Sequence, residues 1–186
     1  MRLWKRIVAV LVVAALAFVI EGLVARAQAA PLLFKNCTYT RIPGDSGRPP
    51  YSLAPTIGLV KVTLRTDRGD VVLTLDRSNA PCAVHSFTHL ALRRFYNQTP
   101  CPRRTRAILE CGVGRPGYQF APELSGRETY TRGTVALSNT GANGSAFFLV
   151  RSTPPPLRAS TVIGTVTSGF PVLDQRPATL VEVLIG

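Results

Sequence analysis

The sequence predicts a mainly β fold: a closed antiparallel β-barrel with one main helix and a second short helix. Short apolar runs recur through the second two-thirds of the chain, the clearest of them alternating apolar and polar residues at the period of a half-buried strand. Helical spacing is scarce, confined to one full segment and one of about a turn or two. Many short strands with few helices favour closure, because closing a sheet removes its exposed edges. The 186 residues suit one domain with a sizeable core, and no internal repeat emerges.

Three segments follow: a leader at 1–29, an extended Pro-rich arm at 30–57, and the barrel domain at 58–186. Arg2, Lys5 and Arg6 precede an apolar run from Ile7 to Ile20, too short for a comfortable membrane span and suited to a signal-peptide core. Ala27-Gln28-Ala29 offers a small-x-small cleavage pattern, with Ala30 as the mature start. An uncleaved anchor lengthened through Gly22-Leu23-Val24-Ala25 is the alternative, against which Glu21 and Arg26 count. On either reading the folded part is exported. The arm carries Pro31, Pro43, Pro49, Pro50 and Pro55 with little periodicity, and reads as extended chain tethered at Cys37.

In the barrel domain Val60, Val62 and Leu64 alternate with Lys61, Thr63 and Arg65, giving the first strand. Asp67-Arg68-Gly69-Asp70 turns the chain, and Val71, Leu73 and Leu75 begin the return. Asn79-Ala80-Pro81 starts the main helix, with Asn79 as the cap candidate and Pro tolerated in the first turn. Val84, Phe87, Leu90 and Ala91 recur at helical spacing and should cover a barrel mouth. His85 and His89 share the i, i+4 face without a third ligand, which argues for a solvent-facing pair and against a metal. They also lack a nearby Ser or Cys arrangement for triad chemistry.

Ala107–Leu109 is the next short strand, and Gly112 to Gly117 a turn-rich loop that returns Tyr118 and Phe120 to the core. Thr134–Leu137 and Phe147–Val150 flank a segment rich in Ser, Asn and Gly, whose residues accept backbone angles that others avoid. Thr161–Val166 and Leu180–Ile185 complete the strands, with Gly169–Gln175 as the short helix between them.

All four cysteines, Cys37, Cys82, Cys101 and Cys111, follow the leader, and an even count in an exported chain points to disulfides. Three pairings exist. Cys101 and Cys111 could meet across a strand ladder, leaving Cys37 to staple the arm to Cys82; the spacing alone does not decide. No Cys-x-x-Cys or Cys–His spacing supports zinc. The formal charge of +12, carried almost wholly by Arg, favours anionic partners such as an envelope surface. No basic run is interleaved with aromatics, which argues against nucleic acid. A solvated Arg-rich surface is the better explanation of the charge. Neither paired carboxylates nor a phosphate-cradling glycine loop is present, and no cofactor is indicated.

Ser138-Asn139-Thr140-Gly141 and Asn143-Gly144-Ser145-Ala146-Phe147-Phe148 resemble the cyclophilin signature, Ala-Asn-Ala-Gly leading through a loop to Asn-Gly-Ser-Gln-Phe-Phe. The loop is about two residues shorter than the family pattern, and the likeness runs from roughly Leu59 to Val166. It implies a peptidyl-prolyl cis-trans isomerase acting on proline-containing segments of exported proteins. The resemblance implies a catalytic Arg at Arg103 within Cys101-Pro102-Arg103-Arg104, with Arg104 as the alternative. Phe148, Leu157 and Ile108 fall at proline-pocket positions, Asn139 where backbone receives the substrate strand, Glu110 where a Gln orients the Arg, and Ala146 where a Gln contacts the peptide.

Departures from the family are equally plain. Pro102 replaces a His, Ala107 and Ile108 replace larger pocket residues and imply a wider pocket, Pro156 replaces a Trp, and Ser160 stands where a His or Tyr would be. Glu110 could orient Arg103 through a bidentate pair or divert it from substrate. Two functions are therefore expected in competition: an exported isomerase assisting folding, with reduced activity, or a cyclophilin-fold binding or scaffold protein with little turnover.

Overall fold

The computed structural model describes residues 33–153 and 159–186. The leader with its Ala27-Gln28-Ala29 pattern, and the Pro154-Pro155-Pro156 turn with Leu157, lie outside the described residues. In chain order the elements are β1 (Phe34–Asn36), β2 (Thr40–Arg41), β3 (Leu53–Pro55), β4 (Leu59–Thr66), β5 (Gly69–Asp76), α1 (Pro81–Leu92), β6 (Thr99–Pro100), β7 (Arg103–Arg104) and β8 (Ile108–Cys111). Then follow β9 (Tyr118–Gln119), β10 (Thr134–Leu137), β11 (Phe147–Val150), β12 (Val162–Ser168), α2 (Phe170–Asp174) and β13 (Thr179–Ile185).

Nine strands form one antiparallel sheet in the order β6-β13-β4-β5-β12-β10-β11-β8-β7. Its two outermost strands, β6 and β7, are consecutive in the chain and separated only by Cys101 and Pro102. So short a connection forces the sheet to curl until its ends meet. Cys101 sits at that seam: its N–H donates to the Ala178 carbonyl before β13 at 2.7 Å, while its sulfur is bonded to Cys111 on β8. Among the described residues no ladder pairs β6 with β7; Cys101 and its disulfide link the two ends of the curled sheet.

Strand periodicity sorts the side chains into two sets. Val135 and Leu137 of β10, Phe147 and Leu149 of β11, and Leu109 of β8 point into the barrel and join the main core. Phe147 meets Phe87 and Tyr96 edge-on, with centroids 5.2 and 5.5 Å away, and Phe87 stacks on Tyr96 at 5.0 Å. Truncating a ring so enclosed costs about 3–5 kcal/mol. The alternate residues, Ile108, Ala136, Phe148 and Val150, form a second, outward cluster.

Helix α1 buries Val84, Phe87, Leu90 and Ala91 as the spacing predicts and packs against β13, β5 and the arm strand β3. Its start differs from expectation. The N-cap is Ala80, and Asn79 instead donates through Nδ2 to the Val162 carbonyl at 2.6 Å. Glu123 supplies the missing acceptor from a distant loop: its carboxylate takes the N–H groups of Ala83 (2.8 Å) and Cys82 (3.3 Å) and the Lys35 ammonium (2.8 Å). The helix ends in a Schellman motif, Phe95 N–H to Leu90 and Arg94 N–H to Ala91, with Arg94 at a φ of 58°.

The arm is more structured than a linker. β1 pairs with β3 and β2 with β9. Tyr39 packs edge-on to Tyr118 and Phe120 at 5.6 and 5.3 Å, and a Cys37–Cys82 disulfide ties the arm to α1. At Gly47 the arm crosses the 116–117 loop so closely that a Cβ would lie 1.9 Å from the Pro116 carbonyl oxygen. His85 and His89 are accordingly half-buried beneath the arm, not solvent-facing: His89 Nε2 donates to the Arg48 carbonyl at 3.0 Å.

Candidate active site

The outward cluster of β8, β10 and β11 forms the floor of a cavity of about 160 Å³ lined by Arg103, Ile108, Glu110, Ser138, Asn139, Thr140, Phe148 and Ser160. This is room for a single small ring, below the 300–1,000 Å³ typical of drug-sized ligands. Register explains the gathering. Glu110 faces Phe148 across the β8–β11 ladder and Arg103 across the β7–β8 ladder, so all three project to the same side of the sheet. Arg104 pairs with Leu109, which points into the core, and it does not line the cavity. Of the two candidate arginines, geometry favours Arg103.

Phe148 and Ile108 are buried, while Arg103 is exposed above them. The expected wider pocket at Ala107 is partly filled by Tyr130, whose ring lies 6.2 Å from Phe148 and whose hydroxyl donates to the Ser160 carbonyl at 3.0 Å and accepts the Ser160 N–H at 2.7 Å. No periodic pattern marks Tyr130 in the sequence, since it sits in an irregular loop.

Glu110 neither orients nor diverts Arg103 through an ion pair. Its carboxylate accepts the hydroxyl of Ser138 at the end of β10, and the Arg103 side chain forms no hydrogen bond or ion pair with another described residue. The guanidinium donors are left open among the described residues. The base of its loop is held by Arg151 on the far side, whose guanidinium reaches the carbonyls of Arg106 (3.1 Å), Leu173 (3.0 Å) and Asp174 (2.9 Å).

Asn139 is positioned by its side chain: Nδ2 donates to the Ala159 carbonyl at 2.7 Å and Oδ1 accepts the Gly141 N–H at 2.8 Å. Among the described residues its main-chain N–H and carbonyl have no backbone partner, which leaves them open to an extended peptide. Ala146 does not join the Phe148 cavity. It lines an adjoining groove of about 650 Å³ with Ile42, Val113, Pro116 and the 140–145 loop, and Glu110, Ser138 and Thr140 border both spaces. Arm residue Ile42 thus completes a groove otherwise built by the barrel. Among the described residues no cluster of His, Cys, Asp or Glu could hold a metal ion.

Comparison with known proteins identifies the family and the fold. The family model for cyclophilin type peptidyl-prolyl cis-trans isomerase matches residues 61–179. The chain is 36% identical over 143 residues to a probable peptidyl-prolyl cis-trans isomerase B of Mycobacterium leprae, covering 62% of this chain and 48% of that protein. It is 35% identical over 173 residues to the protein of the same name in Mycobacterium tuberculosis, covering 75% of this chain and 55% of the relative. The chain thus spans about half the length of these curated relatives. In fold it is similar to a crystal structure of a cyclophilin type isomerase from Cryptosporidium parvum, with a TM-score of 0.64 at 21% identity over 69% of this chain and 98% of the other. By the family match, the sequence likeness and the shared fold, the chain belongs to the cyclophilin-type peptidyl-prolyl cis-trans isomerase family.

Proposed function

We propose that the chain is an exported peptidyl-prolyl cis-trans isomerase that assists folding outside the cytoplasm, with Arg103 as its catalytic residue. The observation that carries the reading is the unpaired Arg103 guanidinium above the small apolar cavity of Phe148 and Ile108. Rotation about the bond before proline faces a barrier of about 18–20 kcal/mol because the amide is resonance-stabilised. As the bond twists, the prolyl nitrogen becomes pyramidal and gains a lone pair. A permanently charged guanidinium donating to that nitrogen stabilises the twisted state over either planar isomer.

The remaining parts fit the same chemistry. Phe148 and Ile108 hold the prolyl ring, the Asn139 backbone pairs with the preceding strand of the peptide, and the adjoining groove receives flanking residues. A crystal structure of the Cryptosporidium relative was determined in the presence of the dipeptide Ala-Pro, a ligand of the class proposed here. The leader pattern and the cysteine usage support export, with the chain either released or held by its N-terminal segment. Its charge of +12 supports residence near an anionic envelope surface.

A second reading, a binder with reduced or no turnover, rests on the carboxylate of Glu110 opposite Arg103. The Ser138 hydrogen bond, which draws that carboxylate away from the guanidinium, favours catalysis. Titrating an Ala-Pro peptide into the isotopically labelled protein tests the site itself. Shifts confined to Phe148, Ile108, Asn139 and Arg103 are expected; shifts elsewhere would remove the cavity from the account.

A further inference from the structure

The arm and the end of α1 enclose a second feature, a groove of about 350 Å³ lined by Arg41, Arg48, Pro49, Pro50, Tyr51, His89 and Arg93. It shares no residue with the Arg103 cavity or the groove beside it. Three arginines line it and no Asp or Glu does. None of the three side chains makes a hydrogen bond or ion pair with another described residue. Other surface arginines do have acid partners, Arg65 with Glu182 at 3.0 Å and Arg132 with Asp174 at 2.8 Å, and it is the gathering of three unpaired ones on one groove that sets this place apart.

The acid nearest the groove in the chain is withdrawn from it. Asp45, between Arg41 and Arg48, is held by Arg115 at 2.8 Å. Nor is the gathering of charge a chance of loose chain. Ile42 N–H donates to the Gly117 carbonyl at 3.0 Å, Gly47 is pressed against Pro116, the Arg48 carbonyl takes His89 Nε2–H, and Cys37–Cys82 anchors the arm. Burial and the charge of Arg93 push the His89 pKa below its ordinary 6.5, although the bond to the Arg48 carbonyl pulls the other way. Like charges gathered on one groove repel, and an anion between them lowers that cost.

We propose that this groove is a binding site for a phosphate-bearing anion, held by Arg41, Arg48 and Arg93. Phosphate oxygens match the planar fork of a guanidinium, and three such groups suit a dianion or linked phosphates better than a single carboxylate. The site gives the anionic partner proposed above a definite location, and it stands apart from the isomerase reading.

The test uses the full chain with inorganic tripolyphosphate as probe, and with vesicles of phosphatidylglycerol beside vesicles of phosphatidylcholine. The variants are the triple Arg41→Gln/Arg48→Gln/Arg93→Gln and a charge-matched triple Arg65→Gln/Arg68→Gln/Arg127→Gln. Tripolyphosphate is expected to bind roughly tenfold or more weakly to the first triple while the control stays within about twofold of the parent. Loss of phosphatidylglycerol binding in the same triple identifies a lipid headgroup as the source; tripolyphosphate binding alone identifies a soluble phosphate compound. Equal weakening in both triples means diffuse charge and overturns the site. In the unaltered chain, tripolyphosphate should also shift the His89 imidazole resonances. An unmoved His89 overturns the site whether or not the triple variant folds.

Discussion

Arg103 and Glu110 stand opposite each other on the β7–β8 ladder, yet the Glu110 carboxylate accepts the Ser138 hydroxyl and the guanidinium stays unpaired among the described residues. Ser138 is therefore the residue that keeps an acid from neutralising its cross-strand neighbour. Removing the hydroxyl frees the carboxylate to pair with Arg103. Ser138→Ala should lower kcat by about tenfold with little change in KM, a hydrogen bond to a charged group being worth about 1.5–3 kcal/mol. Adding Glu110→Gln should restore it, because the amide cannot form the ion pair. A merely structural loss at Ser138 would not be rescued this way.

The two disulfides should separate stability from activity. Their sequence separations are 45 for Cys37–Cys82 and 10 for Cys101–Cys111. In the chain-entropy picture these correspond to about 4 and about 3 kcal/mol. Replacing both Cys37 and Cys82 by Ala should cost more in denaturant midpoint. Replacing Cys101 and Cys111 should cost more in turnover, because that link closes the seam next to Arg103 and Glu110. Urea melts and a peptide isomerisation assay on the two double variants check the order.

Acid should loosen the arm. His85 and His89 titrate below their ordinary value of 6.5, chiefly because burial disfavours the charged ring. The unfolded chain then takes up protons before the folded one as pH falls below 6.5. Their contribution is full above 6.5 and is lost as pH falls through the lowered folded values. The Tm should drop between about pH 7.5 and about pH 5, and His85→Gln/His89→Gln should flatten that dependence. An unchanged slope in the double variant would assign it to other groups.

At the end of α1, Arg94 holds a left-handed conformation at a φ of 58°, where glycine is the favoured residue. Arg94→Gly should stabilise the protein by about 0.5–1 kcal/mol, after the extra freedom of glycine in the unfolded chain is counted. Arg94→Ala retains the Cβ and should leave the Tm near that of the parent. Thermal melts of both variants distinguish conformational relief from loss of charge.

The strands of the barrel were legible because their signal is local. Val60, Val62 and Leu64 alternate with polar residues, and Phe147–Val150 is a short apolar run, whose alternation between the inner core and the outer cluster shows only in the fold. Glu123 was not legible as a helix cap, since the N–H groups it accepts lie about 40 residues earlier and no spacing rule connects them. Tyr130 and Arg151 escaped for the same reason: each serves the site from a loop or strand end through contacts across the fold. The arm read as a linker because its strands are two or three residues long, too short to show a period. Its partners β9 and α1 give it order, and that information is not local.

Catalysis at Arg103 is tested by the rate at which the full chain isomerises a short Ala-Pro peptide, measured beside Arg103→Ala and Arg104→Ala. Catalysis above the uncatalysed rate is expected, with a fall of about 100-fold or more in Arg103→Ala and near-parent activity in Arg104→Ala. Catalysis that survives in Arg103→Ala, or a parent rate no higher than background, would contradict it.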